Sequence, residues 1–143
     1  MTQDDFVLSQ FLPYALNQAA EATSAEFQQH YRQKYGMLRT EWRVLFHLGR
    51  YGPLAAKEIC ARASLHKTKV SRAVSALERK RYLARAVQEH DRRHETLALT
   101  AAGSAVYGDL FQAAKAYDAM ISRSFTAQER EILDRCLARI VQR

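Results

Sequence analysis

The chain is poor in the residues that break helices or staple small folds: two cysteines, two prolines and five glycines in 143 residues. Cys60 and Cys136 stand far apart, so there is no framework of the kind that holds a small secreted scaffold together. A chain of this length buries enough apolar surface to fold as one domain, or as two small lobes sharing a core, without such staples. Little glycine and proline beside 48% hydrophobic residues excludes a disordered chain and points to a helical one. No apolar run is long enough to cross a bilayer and no signal-peptide pattern is visible, so the expected setting is soluble, reducing and cytoplasmic. Internal repeats and low-complexity tracts are absent. So are a nucleophile elbow, a phosphate-binding loop and a metal-ligand cluster, and neither enzymatic activity nor a cofactor is expected.

What the chain has is positive charge in one place. The net charge is +7, and residues Arg62 to Arg93 alone hold ten Lys/Arg against three Asp/Glu; elsewhere the two signs cancel. A compact basic block with hydrophobic punctuation is the electrostatic footprint of a protein that sits on phosphates.

Apolar residues Leu12, Leu16, Ala20, Phe27, Tyr31 and Tyr35 recur mostly in steps of four, predicting one long helix with Pro13 in its first turn and Gly36 at its end. Thr40 can cap a second helix with Trp42, Val44, Leu45 and Leu48 inward, closed by Gly49 and Gly52-Pro53. Two short helices, Ala56 to Ala63 and Lys67 to about Arg79, then flank a turn at Ser64-Leu65-His66. Their close crossing asks for a small residue (Cys60), a tight turn (Ser64) and apolar neighbours (Ile59, Leu65, Val70, Ala73), and all are present: a helix-turn-helix. Tyr82 to Val87 and Thr96 to Leu99 read as two strands joined by a charged tip, Gln88 to Glu95. Thr100 opens a further helix, and the capping box Thr126 to Glu129 opens the last. The first helix and the last two carry apolar stripes beyond what a small lobe can hide, and a homodimer core is their expected use. The residues expected there are Leu12, Leu16, Leu110, Tyr117, Leu133, Leu137 and Ile140.

The fold class expected is therefore mostly α with a small β-wing: an N-terminal arm and dimerisation helix over residues 1–39, a winged helix-turn-helix lobe over 40–100, and dimerisation helices over 101–143. The pattern D-x-R-x-x-x-L-x-L-T-x-x-G, carried by Asp91, Arg93, Leu97, Leu99, Thr100 and Gly103, resembles the wing of the multiple-antibiotic-resistance regulators, the MarR family of bacterial transcription factors. The stretches from His66 to Val74 and from Thr40 to Leu45 are similar to the same family. The chain departs from it at Ala55, where the family usually has a capping Ser or Thr, a loss of about 1 kcal/mol. It departs again at Arg81, in a turn where the family often has Gly, and at Glu89-His90, where the wing tip lacks a frequent Pro.

A recognition helix reaches base edges with short polar and basic side chains near its start while its flanks meet phosphates; Lys67, Thr68, Lys69, Ser71 and Arg72 suit these tasks. The resemblance implies that Arg93 enters the minor groove with Asp91 holding its guanidinium, while Arg85 and Arg92 suit backbone phosphates. His90 and His94, beside Glu89 and Asp91, make a poor metal site because a hairpin does not align residues four apart as a helix does. The resemblance also implies a cleft for a small aromatic or phenolic effector, and His30, Tyr31, Tyr35, Trp42, Arg43, His47 and Tyr107 are candidates to line it, as well as ordinary core residues. Some relatives sense peroxide through a thiol near the start of the first helix; Cys60 and Cys136 are not there and are expected as inert packing residues. The expected function is a sequence-specific, dimeric regulator on a pseudo-palindromic operator in double-stranded DNA, a repressor released by a small aromatic or anionic ligand. A nucleoid-type architectural protein, and a ligand-independent or redox-responsive regulator, are the alternatives.

Overall fold

A computed structural model of the chain describes residues 5–88 and 91–142, with the backbone alone for Gln88 and for residues 91–94. A short 3-10 helix, Leu8–Gln10, leads into α1 (Leu12–Tyr35), which has Pro13 in its first turn. Gly36 ends α1 in the left-handed region at φ 64°, its N–H donating to the Arg32 carbonyl at 2.8 Å. Helix α2 (Arg39–Tyr51) starts two residues earlier than a cap at Thr40 implied: Leu38 is its N-cap and offers no side-chain acceptor. Helices α3 (Ala56–Ala63) and α4 (Lys67–Arg79) flank the predicted turn, where Ser64 takes a left-handed φ of 54°. At the start of α3 the missing Ser/Thr cap is half replaced, because Glu58 Oε1 accepts the Ala55 N–H at 3.1 Å.

The wing is an antiparallel pair, β1 (Leu83–Gln88) and β2 (Asp91–Leu99), with Leu83 opposite Leu99 and Arg85 opposite Leu97. Strand β2 begins at Asp91, five residues before the Thr96 expected from sequence. Apolar alternation stops where the hairpin leaves the core, so it marks the buried base of the strand and not its end. Leu54 adds a third, one-residue bridge, exchanging both backbone hydrogen bonds with Leu97 at 2.8 and 3.0 Å. Helix α5 (Ala101–Ser122) is capped by Thr100, and α6 (Ala127–Val141) by the Thr126–Glu129 capping box.

One core unites α2, α3, α4, the wing base and the first half of α5, with Val44, Leu45, Ile59, Val70, Leu77 and Leu97 at its centre. Phe27 and Tyr31 bring the second half of α1 against it. Leu110, expected at a dimer face, is 1% exposed and belongs to this core: the start of α5 lies on the helix-turn-helix lobe, so its inward stripe is already covered. Cys136, expected as a packing residue, is exposed, because α6 buries none of its residues within the chain. Cys60 is half-buried against the core at the helix crossing. No helix among the described residues is long and apolar enough to cross a membrane.

The start of α5 is fixed by one glycine. A Cβ on Gly103 would overlap the Tyr82 carbonyl oxygen, whereas a Cβ on Gly108 in the same helix meets nothing within 4 Å. Gly103→Ala should cost about 3 kcal/mol or more, since backbone and not a pliable side chain is in the way. Gly108→Ala should instead gain about 0.5 to 1 kcal/mol from helix propensity. Urea unfolding of both variants checks the pair, and a tolerated Gly103→Ala would contradict the close approach.

Candidate nucleic-acid interface and effector cleft

Helix α4 buries Val70, Ala73, Val74 and Leu77, which turns Lys67, Thr68, Lys69, Ser71 and Arg72 outward and exposed. His66, taken from sequence only as part of the turn, is its N-cap: the ring Nδ1 accepts the Thr68 N–H at 3.2 Å. Among the described residues no carboxylate lies within ion-pair range of Lys67, Lys69 or Arg72. Grooves run along both flanks of the helix. One, of about 510 Å³, sets Lys69, Arg72 and Arg79 beside Leu38 and Thr40; the other, of about 500 Å³, holds Lys57, Cys60, Lys67 and Ser71 under the wing base. The arrangement is a protruding helix start with uncompensated cations along its sides, as phosphate contact requires.

Arg85 has a different task from the one expected. Its Nε donates to Glu78 Oε2 at 3.1 Å and its Nη1 to Glu95 Oε2 at 3.2 Å, so β1 is fastened both to the end of α4 and across to β2. Burial opposes its charge, and the two carboxylates more than offset this, leaving its pKa above the ordinary guanidinium value. With two carboxylates on its donors, Arg85 ties the hairpin to the end of α4 in this structure. The diagonal placing of Arg85 and Glu95 across the hairpin was the available signal. Asp91, Arg92 and Arg93 lie on β2 by their backbone, and their side chains, like that of His94, fall outside the described residues, as do Glu89 and His90 altogether.

Between α1, α2 and α5 lies a cleft of about 320 Å³ walled by Phe27, Tyr31, Trp42 and Tyr117, with Ser24 and Asp118 also lining it. Tyr31 and Trp42 stack with centroids 5.8 Å apart, and Phe27 meets Trp42 edge-on at 5.2 Å. The Tyr117 hydroxyl donates to the Thr23 carbonyl at 2.8 Å and stands 3.2 Å from a Glu26 carboxylate oxygen; burial, then Glu26, raises its pKa. Of the seven effector residues proposed from sequence, the structure brings only Tyr31 and Trp42 into this cleft. His30 lines a neighbouring groove with Lys34 and Asp109, and Tyr35 donates its hydroxyl to Asp109. There the Lys34 ammonium at 2.8 Å, then the Tyr35 hydroxyl, hold the Asp109 pKa below the usual carboxylate value. Arg43 donates to the Ala63 carbonyl at 3.1 Å, tying α2 to the end of α3, and His47 Nδ1 sits 2.7 Å from the Arg43 carbonyl. Tyr107 packs on Gly49 and Phe46. Phe27 was missed as a wall although its four-residue spacing from Tyr31 marks one helix face. Tyr117, expected at a dimer face, lines the cleft instead.

Leu12, Leu133 and Leu137 are exposed, while Leu16 and Ile140 flank an apolar groove of about 480 Å³ between α1 and α6 with Pro13 and Arg139. Phe6, Val7, Leu8 and Phe11 extend this uncovered apolar surface.

Tyr31 is 1% exposed and its hydroxyl has no hydrogen-bond partner among the described residues, although the Arg39 guanidinium stands near it. A buried hydroxyl left unpaired costs about 1 to 3 kcal/mol. Tyr31→Phe should therefore leave stability unchanged or raise it by up to about 1 kcal/mol. Thermal unfolding tests this, and a clear destabilisation would show that the hydroxyl is paired.

Residues 35–94 match the MarR family model, a segment running from the end of α1 to the wing. No curated protein matches the chain. Solved structures share its fold over nearly the whole length. A MarR/EmrR family transcriptional regulator from Acinetobacter sp. ADP1 superposes with a TM-score of 0.87 at 24% identity, covering 96% of each chain. A probable transcriptional regulator from Pseudomonas aeruginosa does so with a TM-score of 0.82 at 24% identity, covering 94% of this chain and 99% of its own. BpsR of Bordetella bronchiseptica, a protein whose DNA binding is regulated by 6-hydroxynicotinic acid, reaches 0.86 at 19% identity, covering 96% and 98%. From the end of α1 to the wing the chain thus matches the MarR family model, on a fold that it shares over nearly its whole length with solved structures of winged helix-turn-helix regulators.

Proposed function

We propose that the protein acts as a homodimeric repressor on a pseudo-palindromic operator, with α4 in the major groove and the hairpin over the adjacent minor groove, released when a small aromatic molecule fills the cleft between α1, α2 and α5. The observation that carries this is the row of exposed cations along α4, on a helix whose other face is wholly committed to the core. Lys67, Thr68, Lys69 and Ser71 would face base edges and Arg72 the backbone, with Arg92 and Arg93 supplied by the hairpin. A two-fold site needs a two-fold protein, and the uncovered apolar surfaces of α1 and α6 are the material for that interface.

The cleft is placed to control spacing. It lies where helices of the proposed dimer region meet α2, so an occupant can bias the distance between two recognition helices. By linkage it releases DNA only as far as it prefers the wrong spacing, which at about 1 to 3 kcal/mol is a five- to 150-fold drop in affinity. The regulation of BpsR by an aromatic acid supports a small-molecule response on this fold.

Two variants test the reading. Arg72→Ala should weaken binding across all DNA sequences and reduce the slope of log affinity against log salt by about 0.9, the share of one phosphate. A slope that does not move takes Arg72 off the backbone. Leu137→Asp should yield monomers or aggregates by size-exclusion chromatography with light scattering, because an unpaired carboxylate cannot be buried in an apolar interface. A Leu137→Asp protein that stays dimeric would place the interface elsewhere.

A further inference from the structure

We infer that the effector selected by the aromatic cleft is a small organic cation, an amine-bearing aromatic ring, and not an aromatic carboxylate; the inference rests on the cleft being the effector site. Four of the walls are aromatic rings. Besides the Tyr31–Trp42 stack and the Phe27–Trp42 edge contact, Phe27 and Tyr117 stand with centroids 5.4 Å apart. Aromatic faces carry the negative end of the ring quadrupole and attract an ammonium group brought over them.

The charged groups around the cleft point the same way. Asp118 lines it, and no Lys, Arg or His among the described residues does. Arg130, which pairs with Asp118, is divided between it at 3.2 Å and Asp134 at 2.9 Å, one positive charge against two negative ones. Glu26, beside the Tyr117 hydroxyl, has no ion-pair partner among the described residues. The cations that could receive a carboxylate from nearby elements are engaged: Arg43 with the Ala63 carbonyl, Arg39 with Glu21 at 2.9 Å, Lys34 with Asp109 at 2.8 Å. A carboxylate entering this cleft would meet two like charges, with the shared Arg130 guanidinium as the cation at hand. An ammonium would keep a carboxylate partner at the rim and lie against the aromatic walls. The volume of about 320 Å³ suits one ring with a short chain.

The test uses three near-isosteric probes that differ in charge: tyramine, 4-ethylphenol and 4-hydroxyphenylacetate. Each is titrated into the purified protein near neutral pH, following the fluorescence of Trp42, the only tryptophan and a wall of the cleft. Tyramine should bind at least about tenfold more tightly than 4-hydroxyphenylacetate, a difference of about 1.4 kcal/mol, with 4-ethylphenol between them. Asp118→Asn should shrink the gap between amine and acid, and Glu26→Gln should do so independently should the first variant fold poorly. Binding of 4-hydroxyphenylacetate or of 4-ethylphenol as tight as that of tyramine overturns the charge preference while leaving the cleft as the effector site. If none of the three changes Trp42 emission, the cleft is not an effector site and the inference falls with it.

Discussion

The recognition helix, the wing and the long fifth helix meet at four residues. Arg81 turns the chain out of α4 through a left-handed φ of 65°, and its carbonyl accepts the Thr100 hydroxyl at 2.6 Å. The Tyr82 carbonyl accepts the Thr100 N–H at 3.0 Å, and the same Thr100 side chain accepts the Gly103 N–H at 3.0 Å as the cap of α5. Gly103 must lack a Cβ because it rests on that Tyr82 carbonyl. The chain leaves α4, makes the hairpin and returns to within a hydrogen bond of its departure point before α5 begins. The orientation of α5 against α4 is thereby set by backbone contacts, which do not yield as side chains do. A left-handed Arg81 is held there by this closure, and it adds a cation close to the end of the recognition helix.

Two further restraints make the winged helix-turn-helix lobe a rigid body. Leu54 locks the chain before α3 to the middle of β2, and Arg85 braces the hairpin against Glu78 and Glu95. Both lie at the base of the wing. The brace is electrostatic and partly exposed, so salt weakens it, whereas the buried leucine contacts below persist. A row of rings runs from the cleft wall on α2 to α5: Trp42 touches Phe46, Phe46 touches Tyr107, and Tyr107 lies on Gly49, where a Cβ would collide with its ring.

Helices were legible where local chemistry decides them. Pro13 and Gly36 mark the ends of α1, and the Thr126–Glu129 box starts α6, because caps are read from a few neighbouring residues. Charge concentration located the exposed cationic face of α4 for a similar reason: an outward cation on a helix with a hydrophobic stripe has nowhere else to point. What depended on distant partners was not legible. Arg85 looked like a phosphate contact because its partner Glu78 belongs to another element, and Leu110 looked like interface because a stripe does not say which neighbour covers it. The effector residues scattered for the same reason. His30, Tyr35, Arg43, His47 and Tyr107 share residue types suited to a ligand, but each spends them on a contact with the chain itself.

The central claim is that α4 and the wing read sequence and do not merely hold phosphates. The direct measurement is affinity, at one fixed salt concentration, for a fragment enriched from a random DNA pool by the purified protein and for an unselected fragment of equal length. An operator reader prefers the enriched fragment by a factor of about 10³ or more. A ratio near unity would contradict the account and identify a protein that binds DNA through charge and shape alone.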